Sequence, residues 1–280
     1  MSEIEQAFRK IYADVAAGQE CSPRGQKVIE VENYAYELPP YARFANFDAR
    51  KLKLGYVKKE LLWYLKADPF DLSIVDAASL WQELPNPDGT INSHYGAHVF
   101  GRGDDQWRTP LSIGVPLAHK SQFSAIIAEL QRDKDSRRAS ATILNRSHLL
   151  NPATKDFPCT YALNFRIRDN ELKMSVHMRS QDAVFGMGND APAFSLIQEM
   201  VYVCLRDFAY PDLQMGSYHH IADSFHYYER HFDMVKEINA GSAFTPIEVP
   251  RIRDASEVIY LLGNISKDSK PGDFTAWLNS

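Results

Sequence analysis

Cysteine is scarce in this chain: Cys21, Cys159 and Cys204 are the only three among 280 residues. The number is odd and no C-x-x-C occurs. A disulfide framework and a structural zinc site are both disfavoured, and a reducing compartment is expected. Long apolar runs are missing too. No stretch reaches the roughly eighteen apolar residues of a membrane span, and the opening MSEIEQAFRKIY lacks an apolar signal core. The sequence therefore reads as soluble and cytoplasmic, with no membrane partner. Positive charge is in deficit, 31 Lys and Arg against 36 Asp and Glu, for a net charge of −5. That disfavours nucleic acid as a bulk ligand but leaves room for a small anion held by a few arginines. Repeats and low-complexity segments are absent, which excludes solenoids.

What remains is a chain that is 45% hydrophobic, enough for a sizeable core. Periodicity predicts an amphipathic helix over 3–17, a strand over 27–38 and helices over 58–66 and 120–133. Glycine and proline punctuate 84–116, which reads as long loops around a site. From Cys159 the odd positions run Tyr161, Leu163, Phe165 and Ile167. After a turn at Asp169-Asn170, Leu172, Met174, Val176 and Met178 alternate again. This hairpin sets Cys159 and Arg179 at the same end of neighbouring strands. A long helix is predicted over 191–208, opened by Asp190 and Pro192. Strands and helices without regular βαβ alternation point to an α+β fold.

A cysteine at a strand entrance is usually inert packing. Cys204, in the apolar run MVYVCL, reads that way. Cys159 differs, because Pro158 fixes the backbone before it and a guanidinium beside it favours the nucleophilic thiolate. A cysteine hydrolase would need a histidine base, and His177 on the next strand is the candidate.

Taken together, KELLWYL (59–65), DSRR (135–138), PC (158–159), MRSQD (178–182) and H-x-Y (226–228) resemble the thymidylate synthase family. The motifs stand in the family's order, and the resemblance runs from Arg24 to His231. It implies a single thymidylate-synthase-like catalytic domain over 1–280, with a mixed or antiparallel sheet layered with helices, and a homodimer formed through that sheet. By this resemblance Cys159 is the nucleophile that adds to C6 of a pyrimidine nucleotide, and Glu60 orders water and assists proton transfers. Arg24, Arg137, Arg138 and Arg179 resemble the phosphate clamp, with Arg137 and Arg138 serving the neighbouring subunit. Guanidinium forks suit a dianionic monophosphate. Ser180 resembles a phosphate or ribose contact, and His226 and Tyr228 the pair that holds the sugar 3′-hydroxyl. Trp81 and Asp182 resemble residues beside the folate. The implied co-substrate is 5,10-methylenetetrahydrofolate, with no metal, although His219, His220 and Asp223 lie close in sequence. RGD at 102–104 reads as a loop.

One position departs from the methylating branch. AVFGMGND ends on Asp190, where thymidylate synthases have asparagine. Cytosine offers an acceptor at N3 and donors at N4, which a carboxyl can complement. The same aspartate occurs in the deoxycytidylate hydroxymethylase branch, whose enzymes add water instead of hydride. The alternative is that Asp190 merely caps the following helix. Asp156, three residues before the cysteine, stands where methylating enzymes have an apolar residue, so it is expected to admit or orient water. The ending TAWLNS does not match their apolar closing tail. The sequence thus predicts hydroxymethylation of dCMP; CMP, dUMP methylation or hydroxymethylation, and a non-catalytic nucleotide-binding relative are the rivals.

Overall fold

The computed structural model describes residues 1–101, 121–151, 154–263 and 269–280. In chain order, a helix α1 (Glu3–Ala16) leads into strands β1 (Gln19–Cys21) and β2 (Val28–Leu38). Helices α2 (Leu54–Lys66), α3 (Tyr95–Phe100) and α4 (Gln122–Arg132) follow, then β3 (Ser140–Thr142) and α5 (Arg146–Leu150). The hairpin β4 (Thr160–Arg168) and β5 (Glu171–Asp182) precedes the long helix α6 (Phe185–Phe208) and the strand β6 (Gln214–Tyr228). Three short helices, α7 (Phe232–Asn239), α8 (Ala255–Leu261) and α9 (Asp273–Leu278), complete it. The segment 84–116 is not wholly irregular, since α3 interrupts it; its part from 102 on, including RGD, lies outside the described residues.

The six strands form one mixed sheet in the order β1-β2-β6-β5-β4-β3. Among the described strands only β5 and β6 run parallel, and α6 supplies the crossover that a parallel pair requires. Helices α1 and α6 pack on the same sheet, α1 against β2 and α6 against β5 and β6. Met174, Val176 and Met178 of β5 and Met200, Val201 and Cys204 of α6 are all buried between them. The opposite face carries a row of half-buried or exposed cross-strand neighbours, Ala162, His177, Ile221 and Ala35.

The predicted hairpin is present. Asp169 and Asn170 take φ of 55° and 59°, as a two-residue turn between twisted strands requires. Its alternation is broken once, however. The β4–β5 register shifts between Thr160 and Ala162, so Thr160 is buried and Tyr161 is exposed, the reverse of the simple pattern.

The largest corrections concern α6 and β6. Helix α6 begins at Phe185, so Asp190 and Pro192 lie inside it rather than at its start. Asp182 and Arg50 fix the earlier start. The Asp182 carboxylate accepts the Val184 N–H at 2.8 Å, and the buried Arg50 guanidinium donates to the Val184 carbonyl at 3.0 Å. Arg50 occupies the space above Gly188, where any Cβ would overlap its guanidinium. Strand β6 was not legible as a strand, because His220 and His226 interrupt its buried series of Met215, Tyr218, Ala222 and Phe225.

Candidate active site

One end of the sheet gathers most of the singled-out residues. Cys159 sits immediately before β4, and its carbonyl accepts the Arg179 N–H at 2.8 Å. The Arg179 guanidinium folds back over the same loop. Nη2 donates to Phe157 O at 2.8 Å and reaches Cys159 Sγ at 3.4 Å, while Nε donates to Pro158 O at 3.1 Å. Arg179 thus holds the cysteine loop as well as the thiol. Among the described residues no histidine hydrogen-bonds to this sulfur, so the hydrolase arrangement with His177 is not formed.

The expected pull of Arg179 toward the thiolate is present but outweighed. Burial pushes the Cys159 thiol up, and Arg179 pulls it down by less than burial, Asp190 and Asp156 together raise it. The thiol therefore stays protonated at neutral pH until something else draws the proton away.

Asp190 and Glu60 form the acidic part of the site. Asp190 lies on the second turn of α6, and its Oδ2 accepts from Gln181 Nε2 at 3.1 Å. Capping is excluded as its role, because the helix starts five residues earlier. Burial raises its carboxyl to about 7. Glu60, on α2, is buried rather than facing solvent. Its Oε1 accepts from Tyr64 Oη at 3.2 Å, and its Oε2 has no hydrogen-bond partner among the described residues. Burial, reinforced by the Asp190 charge, raises Glu60 to about 8. Two carboxyls that near neutrality hold protons in one enclosed region suit proton-transfer chemistry.

Around these groups stands a set of phenols that the sequence did not reveal. Trp81 is buried, and its indole N–H donates to Tyr56 Oη at 2.8 Å. The Glu60 charge acts on Tyr56, so Trp81 connects to the carboxyl through that phenol. Buried Tyr95 feels both Cys159 and Asp190. Tyr36 donates to Gln181 Oε1 at 3.1 Å. No local motif signals these residues, since each comes from a different element and reads as an ordinary core aromatic.

Along β5 and β6, Ser180 pairs with Ser224 and Asp182 with His226. The His226 and Tyr228 rings meet edge to face at 5.1 Å. Arg24, in a single turn between β1 and β2 with φ of 52°, acts on Tyr228 together with Cys159. Thus Arg24, Cys159, Arg179, Ser180, Asp182, His226 and Tyr228 share one end of the sheet.

Arg137 and Arg138 do not join them. They precede β3, whose Ser140 pairs with Asn164, and Ala139 O accepts from Phe165. This places them beside the far end of β4, about 20 Å along the strand from Cys159 at about 3.3 Å per residue. A four-arginine clamp cannot close within one chain. Asp156 is anchored by Ser93. Both its carboxylate oxygens accept from Ser93, N–H at 2.6 Å on one and the hydroxyl on the other. Asp156 ties the cysteine loop to residues 92–93, and each carboxylate oxygen keeps a second lone pair beyond its bond to Ser93. His220 is buried and His219 lies on the other face of β6; among the described residues no group of three His, Cys, Asp or Glu side chains is placed to hold a metal ion.

A sequence profile of the thymidylate synthase family matches residues 6–256. The chain belongs to the thymidylate synthase family. Its members are one-carbon transferases that act on pyrimidine nucleotides with methylenetetrahydrofolate as co-substrate. Curated relatives include the deoxycytidylate 5-hydroxymethyltransferase of Enterobacteria phage T4, 29% identical over 185 residues, which span 64% of this chain and 69% of the relative. The protein of the same name from Enterobacteria phage T6 matches over the same shares at 29%. The deoxyuridylate hydroxymethyltransferase of Bacillus phage SP01 is 27% identical over 229 residues, 78% of this chain and 56% of the relative. No described helix of this thymidylate synthase relative is long and apolar enough to cross a membrane.

Proposed function

We propose that the protein is a deoxycytidylate 5-hydroxymethyltransferase, converting dCMP, 5,10-methylenetetrahydrofolate and water to 5-hydroxymethyl-dCMP and tetrahydrofolate. The observation that carries this reading is Asp190: a carboxyl inside α6, freed from capping, with burial holding it half-protonated near pH 7. Such a group can accept from cytosine N4 and share its proton with N3.

In this reading Cys159 adds to C6, which makes C5 a carbanion equivalent that attacks the one-carbon unit. Glu60, protonated at neutral pH, exchanges protons at the base and, through its unpaired Oε2, positions the water that becomes the hydroxyl. Arg24 and Arg179 hold the phosphate, Ser180 contacts phosphate or ribose, and His226 and Tyr228 hold the sugar. Trp81 and Asp182 serve the folate side. Arg137 and Arg138 complete the clamp of a second copy, an assignment supported by their distance from Cys159 and by the open sheet face on which two copies can pair.

dUMP is the second reading, favoured by the name of the Bacillus phage relative. Comparing kcat/KM for dCMP and dUMP in the wild type and in Asp190→Asn separates the two. The asparagine variant is expected to lose the dCMP preference by about 10²-fold or more, because a site built for one hydrogen-bond pattern rejects the other. A wild type that prefers dUMP would overturn the base assignment.

A further inference from the structure

A half-protonated carboxyl does not by itself choose between the two bases. Its protonated form has one donor oxygen and one acceptor oxygen. Cytosine needs the donor oxygen opposite N3 and the bare oxygen opposite N4. Uracil needs the reverse, since N3 carries a hydrogen and O4 accepts. The base that is read therefore depends on which Asp190 oxygen holds the proton.

Gln181 bears on that choice. It is 2% exposed, and its Nε2 donates to Asp190 Oδ2 at 3.1 Å. The carbonyl oxygen of a carboxyl is the better acceptor, so the bond from Gln181 favours Oδ2 as the bare oxygen and Oδ1 as the protonated one. The direction of the amide is set from behind. Tyr36 Oη donates to Gln181 Oε1 at 3.1 Å, which turns Nε2 toward Asp190. The reversed amide would set Oε1 against Oδ2, an arrangement compatible only with a proton on Oδ2.

Tyr36 is itself firmly held. Its ring stacks on His220 with centroids 4.8 Å apart and planes 3° apart, and His220 Nδ1 is bonded to Tyr218 Oη at 2.6 Å. Burial keeps the Tyr36 phenol protonated far above the ordinary range, so it stays a donor at any working pH. The relay runs from β2 through β5 to α6, and each link is a single hydrogen bond between buried or half-buried groups.

We propose that Gln181, aligned by Tyr36, biases the carboxyl proton to Asp190 Oδ1, that Oδ1 is the oxygen opposite base N3, and that the site thereby reads cytosine over uracil. Gln181 is then a specificity-determining positioning residue that acts through Asp190. The inference rests on the assignment of Asp190 to the base edge.

The test is kcat/KM for dCMP and for dUMP in the full-length protein and in three variants, Gln181→Leu, Tyr36→Phe and Asp190→Asn. Gln181→Leu removes the donor and is expected to shrink the dCMP-to-dUMP ratio by about three- to tenfold, the range for a hydrogen bond between neutral groups. The dCMP value falls while the dUMP value holds or rises. Tyr36→Phe shifts the ratio the same way by a smaller factor, and it carries the test if the leucine variant fails to fold. Rates that fall equally for both nucleotides, or a ratio within twofold of the wild type in the folded variants, would overturn the proposal. If Asp190→Asn moves the ratio and the other two do not, the inference alone fails. If Asp190→Asn does not move it either, the base assignment of Asp190 fails with it.

Discussion

Cys159→Ser is expected to lose turnover by at least about 10⁴-fold while still binding nucleotide. The geometry around the residue gives both halves of this result. The thiol lies under the Arg179 guanidinium, whose other bonds fix the Phe157 and Pro158 carbonyls, so the loop keeps its shape whichever atom ends the side chain. A serine hydroxyl can sit in the same place and accept from the same arginine. It cannot ionise there, because even the more acidic thiol is pushed up by burial. Without a nucleophile at C6 the base never gains carbanion character at C5. Single-turnover product formation measures the loss, and calorimetric titration with dCMP measures what remains, an affinity within about threefold of the wild type if ground-state binding uses other groups. Turnover by the serine variant within about tenfold of the wild type would mean that the chemistry does not begin with a covalent adduct at this residue.

The second large effect belongs to Glu60→Gln. It is expected to lower kcat by about 10²- to 10⁴-fold, the usual contribution of a positioned acid or base. The same substitution makes a separate prediction about stability. Burial lifts the Glu60 carboxyl from an ordinary 4.5 to about 8. Between those values the unfolded chain has released its proton while the folded chain retains it. The unfolded state then binds fewer protons, so folding stability falls as pH rises through the window and the loss is complete above about 8. Glutamine does not titrate. The variant is therefore expected to be more stable than the wild type at pH 8, by about 2–4 kcal/mol given about 1.4 kcal/mol per pH unit and the coupling to Asp190, with no gain of this origin at pH 4. Urea denaturation at the two pH values reads the difference. Equal stability at both would mean that Glu60 is solvated and ionised in the folded protein.

Such a gain on losing a functional group fits the way the site is built. Glu60 and Asp190 are kept where their charged forms are costly, and that cost makes their protons available near neutral pH. The surrounding phenols, Tyr36, Tyr56, Tyr64 and Tyr95, supply hydrogen bonds without supplying charge.

The parts of this arrangement that the sequence made legible are those carried by strong local patterns. The β4–β5 hairpin follows from apolar alternation around a two-residue turn, and it places Arg179 against Cys159 without further information. The start of α6 was not legible, because it depends on Arg50, which is remote in sequence, and on Asp182, which caps Val184 from within the preceding strand. Strand β6 was hidden because His220 is buried by stacking on Tyr36, a contact between elements that no local window contains. Gln181 and Tyr36 belong to the same class: their roles arise only when β2, β5 and α6 meet. Arg137 and Arg138 show a different limit, since their motif is plain in the sequence but the single chain keeps them far from Cys159.

The central claim is that Cys159 activates a cytosine nucleotide at C5 for hydroxymethyl transfer. The most direct measurement is tritium release from C5-labelled dCMP with methylenetetrahydrofolate, followed by the mass of the product, with labelled CMP and dUMP run beside it. The account predicts release from dCMP and a product heavier by one CH2O. Release from dUMP alone, with a product heavier by one CH2, would contradict it.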